Sequence, residues 1–294
     1  MDAEEKSSGR GRIRNGGLLM ERKKLLSIQD LSCYGQCSQT VALPVLSACG
    51  FETAVLPTAI LSTHTGGFTG FQVQDLTDFM ARTLRHWQDE GLRFDAIVTG
   101  YLGSKELIAL TLQAADTLLA PGGMLLVDPA MADHGKLYAA FDADYAAAMR
   151  PLCARADVVL PNTTEASLLL GRPWREDCGD EELSALLEGL RALGAKAAIL
   201  TSVNPDAEHT GVAVADAKGV SLYRHAREKR DYHGTGDLFS AAFAGAYLSG
   251  KPLYEAAGIA ADFAAGCIRN TLGDDKHWYG VHFEELLPAL AAKL

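Results

Sequence analysis

The residues best suited to chemistry lie late in the chain, in Tyr232-His233-Gly234-Thr235-Gly236-Asp237-Leu238-Phe239, just ahead of the small-residue apolar run SAAFAGAYL. Two glycines flank a threonine, an acid follows, and a helix pattern begins. That is the layout of an anion site at a helix N-terminus. Gly234 and Gly236 can take backbone angles closed to other residues, and the helix dipole favours negative charge at that spot. Asp237 does not suit a pure anion cradle, because a carboxylate repels phosphate. It does suit a cradle in which a carboxylate takes a proton from an attacking hydroxyl. A plainer alternative makes Asp237 a helix N-cap or a first-turn acid after a glycine turn. The loop holds no lysine, and neither G-x-x-x-x-G-K-[ST] nor a strand-to-helix G-x-G-x-x-G occurs in the chain. Positive charge for a phosphate must therefore come from the helix dipole and from metal ions.

Other polar residues have two readings each. VDPAMADHGKLY places Asp128 and Asp133 five apart. They are candidate ligands for a hard cation such as Mg²⁺, which needs few carboxylates when phosphates are near; alternatively they are a loop acid and a turn acid. PNTTEA places Asn162 and Glu165 three apart, which spells a capping box. Glu165 could also reach a metal-bound water, and one geometry could serve both. STHTGGFTG at 62–70 is a candidate lid or a solvated connection, with His64 as a polar contact or a structural residue. Tyr101 could stack on a flat ligand or pack. Cys33 and Cys37 lack a second ligand pair, which argues against metal binding.

The elements that must position these groups alternate. Strands are expected at KKLLSI, Glu52 to Pro57, Phe94 to Thr99, Met124 to Val127, Asp157 to Leu160 and Ala197 to Leu200. Helices are expected over Ser38 to Cys49 (with Pro44 a possible kink), Val73 to Glu90, Lys105 to Leu119, Asp142 to Ala154, Glu165 to Leu170 and Glu181 to Leu193. A hairpin around Lys218-Gly219 precedes the glycine loop, and the C-terminus reads as mostly helix. This pattern implies a mostly parallel sheet covered by helices on both faces. In such sheets ligands bind at the C-terminal ends of the strands. That rule selects Gln29-Asp30, Pro57-Thr58, Gly100-Tyr101, Asp128, Pro161-Asn162 and Thr201-Ser202.

The 294 residues are 48% hydrophobic and 22% charged, with a net charge of −10. That composition supports a substantial core and argues against a general nucleic-acid or anionic-membrane binder. No apolar run is long enough for a membrane span. Six scattered cysteines without a C-x-x-C pair fit a reduced, cytoplasmic setting. Residues 1–22 are polar and aperiodic and read as a disordered extension, with Met20 a possible natural start; residues 23–294 read as one domain.

Taken together, SIQD at 27–30, THTG at 63–66, VTGYLGS at 98–104, VDPAMAD at 127–133, PNTTEA at 161–166, TS at 201–202 and HGTGDLFSA at 233–241 resemble the pyridoxal kinase branch of the ribokinase-like superfamily. The resemblance covers roughly residues 24–270. It implies a three-layer α/β fold. It also implies ATP-dependent phosphorylation of the 5′-hydroxymethyl group of pyridoxal, pyridoxine or pyridoxamine. Asp237 matches the catalytic base, and Gly234, Thr235 and Gly236 match the anion hole. Asp128, Asp133 and Glu165 match the metal side, and Asn162, Thr201, Ser202 and Thr235 the nucleotide side. Asp30, Thr58, His64 and Tyr101 fall on the vitamin side. Mg²⁺, a monovalent cation (K⁺ or Na⁺) and a homodimer are further implications.

One departure matters. Asp30 stands where much of the family has a serine contacting the pyridine ring. A carboxylate there would favour a protonated ring nitrogen, hold a ring hydroxyl, or shift preference towards a related ring such as hydroxymethylpyrimidine. Against the last, DLSCYGQCS replaces the glycine-rich first loop typical of hydroxymethylpyrimidine kinases. The alternatives are therefore a hydroxymethylpyrimidine or sugar kinase of the same fold, and a non-catalytic nucleotide- or vitamin-binding protein. The last should have lost Asp237 or the glycines, and both are intact.

Overall fold

The computed structural model describes residues 22–203, 208–228 and 230–294. The expected disordered extension, Arg22 apart, lies outside the described residues. In chain order the strands are β1 (Lys24–Ser32), β2 (Glu52–Leu61), β3 (Val73–Asp75), β4 (Phe94–Thr99), β5 (Leu119–Val127), β6 (Ala132–Asp133), β7 (Lys136–Leu137), β8 (Val158–Val159), β9 (Ala197–Val203), β10 (His209–Asp216) and β11 (Gly219–Ala226). The α-helices are α1 (Gln39–Ala48), α2 (Thr77–Asp89), α3 (Lys105–Leu118), α4 (Ala143–Arg155), α5 (Thr163–Leu170), α6 (Asp180–Leu193), α7 (Thr235–Leu248), α8 (Leu253–Thr271) and α9 (Leu287–Ala291).

Nine strands form one sheet in the order β11-β10-β9-β8-β5-β4-β1-β2-β3. The six central strands, β9 to β2, run parallel, while β3 and the β10–β11 hairpin pair antiparallel at the two edges. Two apolar layers cover the sheet. One is built around Leu84, Ile97, Leu107, Leu125, Met149 and Leu186 from the α2–α6 side. The other is built around Leu46, Val98, Leu126, Ile199, Phe243 and Ala260 with α1, α7 and α8. This is the expected three-layer, mostly parallel α/β architecture, with both faces of the central strands apolar because both are buried.

Several local expectations change. Val73–Asp75 is an edge strand and the helix starts at Thr77, since Asp75 accepts from the Thr77 N–H at 2.9 Å and begins the turn there. α1 runs through Pro44 without interruption. The chain after Thr271 is largely irregular before a short 3-10 turn and α9. β1 extends through Asp30 to Ser32, so Gln29-Asp30 lies inside the strand rather than beyond it. The β1–β2 register shifts at that point: Gln29 pairs with Pro57 and Leu31 with Ile60, so Thr58 and Ala59 together oppose Asp30. A bulge of this kind bends a strand and re-aims side chains beside a site.

Candidate active site

α7 is almost wholly buried and apolar, but its first turn opens onto a cleft. Gly234 is its N-cap, with φ 78° in the left-handed region. A Cβ there would sit 1.9 Å from the Gln36 carbonyl oxygen, so only glycine fits. Gly236 differs from expectation. It lies within the first helical turn, and a Cβ would meet no protein atom within 4 Å. It faces the cleft, so its lack of a side chain leaves the helix N-terminus bare to a ligand. Thr235 Oγ1 donates to the Tyr232 carbonyl at 3.1 Å and secures the loop.

Asp237 is a first-turn acid of α7, and the N-cap position belongs to Gly234. Its Oδ2 accepts the backbone N–H of Ser38 at 2.9 Å. Ser38 holds φ 53° and ψ −124° ahead of α1, an unusual conformation for a residue with a side chain. Burial pushes the Asp237 carboxyl up to about 7; the Ser38 N–H opposes this, and the charges of Asp128 and Asp30 add to it. One turn along α7, Ser240 Oγ donates to Asp128 Oδ2 at 2.5 Å, tying the helix to the end of β5. Asp128 Oδ1 accepts the Ala130 N–H at 3.1 Å. Burial raises Asp128 above the usual carboxylate range despite these bonds.

Asn162 and Glu165 form the expected capping box of α5. Glu165 Oε2 accepts the Asn162 N–H at 2.9 Å, while Oε1 accepts those of Met131 at 2.9 Å and Ala132 at 3.3 Å. Asn162 Nδ2 donates to the Ala132 carbonyl at 2.8 Å. Both residues therefore fix the turn after β5. Three backbone donors occupy most of the Glu165 acceptor sites, so the carboxylate is held in place by the chain around it. Burial and the Asp128 charge push it up to about 8. Asp133 accepts the His134 N–H at 2.8 Å and lies at the rim. Ser202 also has a positive φ, of 55°, at the end of β9.

The cleft thus gathers Gly234, Thr235, Gly236, Asp237, Asp128, Asp133, Asn162, Glu165, Thr201 and Ser202, all chosen from the sequence. Four of its lining residues are acids and none is lysine or arginine. Glu165 is buried and Asp128 and Asp237 are half-buried, and holding these carboxylates together without a cation is unfavourable. An all-oxygen donor set of this kind fits a divalent cation such as Mg²⁺.

The four residues expected on the vitamin side do not line this cleft: Asp30 lies within β1 and Thr58 within β2, while His64 follows β2 and Tyr101 follows β4. Asp30 is buried, accepts from Ser32 Oγ at 3.0 Å, and has its carboxyl raised by burial. Its charge adds to the upward shifts of both Asp237 and Tyr101. Thr58 is fully buried and its hydroxyl donates to the Tyr101 carbonyl at 3.1 Å, so it positions Tyr101. His64 Nδ1 accepts the Gly66 N–H at 3.1 Å, leaving Nε2–H to donate to the Tyr279 carbonyl at 2.9 Å. His64 therefore holds loop 62–70 against the C-terminal segment, and burial lowers its pKa.

Sequence reasoning missed Ser38, Ser240, Tyr138 and His233. Ser240 carried a signal, as a hydroxyl three residues after Asp237 in an apolar helix. Tyr138 carried none; it lines the cleft, with its phenol held protonated by burial and then by Glu165, Asp133, Asp128 and Asp237.

Residues 42–282 match the family model described as phosphomethylpyrimidine kinase. The chain is 30% identical over 254 residues to a pyridoxine/pyridoxal/pyridoxamine kinase of Bordetella pertussis, covering 81% of this chain and 85% of the relative. The crystal structure of pyridoxal kinase from Lactobacillus plantarum superposes with a TM-score of 0.86 at 37% identity, over 92% of this chain and 97% of the other. A Bacteroides thetaiotaomicron protein described as a phosphomethylpyrimidine kinase, crystallised with pyridoxal, gives 0.87 at 36% identity, over 92% and 96%. With its glycine loop, Asp237 and strand-end residues in one place, and with relatives of this identity and coverage, the chain belongs to the pyridoxal kinase family of the ribokinase-like superfamily and is a kinase.

Proposed function

We propose that this kinase transfers the γ-phosphoryl group of ATP to the 5′-hydroxymethyl group of pyridoxal, pyridoxine or pyridoxamine, with Asp237 as the base. One observation carries this: Asp237 lines the cleft in the first turn of α7, beside its bare N-terminus, and the Ser38 N–H sets its carboxylate. A primary alcohol is too weak an acid to lose its proton unaided. Its proton passes to Asp237 as the oxygen–phosphorus bond forms and the bond from Pγ to the ADP oxygen breaks. Backbone N–H groups of Gly234, Thr235 and Gly236 then face the charge on the transferred group. Asp128, Asp133 and, through water, Glu165 would hold Mg²⁺, which supplies charge neutralisation for the phosphates when bound. Asn162, Thr201 and Ser202 border the nucleotide; Asp30, Thr58, His64 and Tyr101 form or support the ring side.

The wider setting follows the same reading: one kinase domain over residues 23–294, a monovalent cation beside the nucleotide, a cytoplasmic location and a homodimer. Six unpaired cysteines agree with a reducing compartment. Among the described residues, no helix is long and apolar enough to cross a membrane. Exposed Val55, Ile60, Val73 and Phe79 near the β3 edge offer apolar area for a subunit contact.

A second reading, a hydroxymethylpyrimidine kinase, is favoured by the name of the family model and by Asp30, whose buried carboxylate could hold a protonated or amino-substituted ring. Initial rates with Mg²⁺·ATP and pyridoxal, pyridoxine, pyridoxamine, hydroxymethylpyrimidine or ribose separate the two. The proposal expects a B6 vitamer to have the highest kcat/KM. Pyrimidine turnover well above all three vitamers would reverse it.

A further inference from the structure

The irregular segment after α8 carries Asp274, His277 and His282, whose ligand atoms all lie within 4.8 Å of one another. None of them belongs to the catalytic cleft. His282 Nε2 and Asp274 Oδ2 are 3.2 Å apart. Donors spaced about 3.3 Å apart form the edge of a tetrahedron around a zinc ion with bonds near 2.0 Å. The rings of His277 and His282 stack with centroids 3.9 Å apart, which brings the third donor up against this pair.

The surroundings prepare each donor. Gln36 Nε2 donates to Glu284 Oε1 at 2.8 Å, which turns the amide oxygen of Gln36 towards His277 Nε2, also 2.8 Å away. His277 Nε2 is therefore the protonated nitrogen, and its Nδ1 carries the free lone pair. A hydrogen bond to the second nitrogen is the usual means of fixing a metal-binding imidazole. Asp274 Oδ1 accepts the Lys276 N–H at 3.1 Å, which leaves Oδ2 facing His282. Thr271 Oγ1 accepts the backbone N–H of His282 at 2.8 Å and anchors the far end of the loop to α8.

We propose that Asp274, His277 and His282 form a binding site for a zinc-class divalent ion, separate from the Mg²⁺-nucleotide cleft. Two imidazoles and one carboxylate suit Zn²⁺ or Co²⁺ and leave a fourth position for water. The ion would close the loop that presents Trp278 and Tyr279. Those residues hold the 62–70 loop: Phe68 packs on Trp278 with ring centroids 4.5 Å apart, and His64 donates to the Tyr279 carbonyl. On the other side Arg230, two residues before Tyr232, bonds Asp275 at 2.8 Å. The site thus staples the C-terminal loop to the segments on both sides of the cleft mouth.

The test is titration of tag-free, EDTA-treated protein with Co²⁺ and with Zn²⁺, without nucleotide. The wild type should bind one equivalent of Co²⁺ with visible d–d bands of a four- or five-coordinate site, displaced by Zn²⁺, and Zn²⁺ should raise its Tm. His277→Ala/His282→Ala should lose the bands, and Asp274→Asn, altered at an exposed side chain, should weaken binding at least tenfold. Cys33→Ser should change neither, since exposed Cys33 lies outside the site. If the double histidine variant does not fold, the side-chain ¹⁵N resonances of His277 and His282 in the wild type decide, since both must shift with one equivalent of Zn²⁺. Binding unchanged in Asp274→Asn, or histidine resonances unmoved by Zn²⁺, would overturn the assignment.

Discussion

The backbone N–H of Ser38 donates to Oδ2 of Asp237 at 2.9 Å, across 199 positions of sequence. The donor lies just ahead of α1 and the acceptor lies in the first turn of α7. The two helices pack side by side on one face of the sheet, so this bond fixes Asp237 to the scaffold rather than to its own loop. A charged acceptor paired with a backbone N–H is stronger than a neutral pair. Rotation of the carboxylate away from the cleft would break it.

The raised pKa of Asp237 predicts opposite effects of pH on stability and on activity. Its ordinary value is 3.8 and its folded value about 7. The folded state therefore holds this proton more tightly than the unfolded chain, and the stability this contributes is present below pH 4 and lost as pH rises through 7. Asp237→Asn removes the loss while keeping an oxygen for the Ser38 N–H. Without nucleotide or metal, it should exceed the wild type by about 1–2 kcal/mol near pH 8, a figure reduced for partial exposure, and by little near pH 4. Urea unfolding at both pH values checks this. Wild-type kcat/KM should fall below pH 7, where the base is protonated.

Gly236→Ala separates folding from function. In a helical position with open space, alanine should stabilise the protein by about 0.5–1 kcal/mol. The added methyl projects into the cleft where an anion would sit, and turnover should fall tenfold or more. Thermal melts and initial rates on the same sample test both. Gly234→Ala should instead destabilise by more than about 1 kcal/mol, because its Cβ collides with the Gln36 carbonyl.

Asn162→Ala removes the α5 cap and the bond to the Ala132 carbonyl together. A loss of about 1–2 kcal/mol is expected from chemical denaturation. Nucleotide KM should rise as well, because the same side chain borders the cleft.

Much of this was legible in the sequence, because several site residues sit where an apolar strand gives way to a polar residue. Asp128 and Thr201-Ser202 were found that way, and the capping box at Asn162 and Glu165 is local by nature. The 73–75 strand was not legible, since three exposed residues carry no alternation long enough to register. Ser38 was hidden for a different reason. Its contribution is a backbone N–H aimed by an unusual φ, and nothing in the side-chain pattern encodes a pairing 199 residues away. Gly236 shows the converse: a glycine selected for its backbone freedom occupies an ordinary helical position, and its role is the space it leaves.

The base assignment is tested most directly by kcat of Asp237→Asn beside the wild type, at saturating Mg²⁺·ATP and pyridoxal, with nucleotide affinity measured on the same preparations. The account predicts a kcat loss of about 10²–10⁴-fold with nucleotide affinity kept within a few-fold. Turnover within a few-fold of wild type would contradict it.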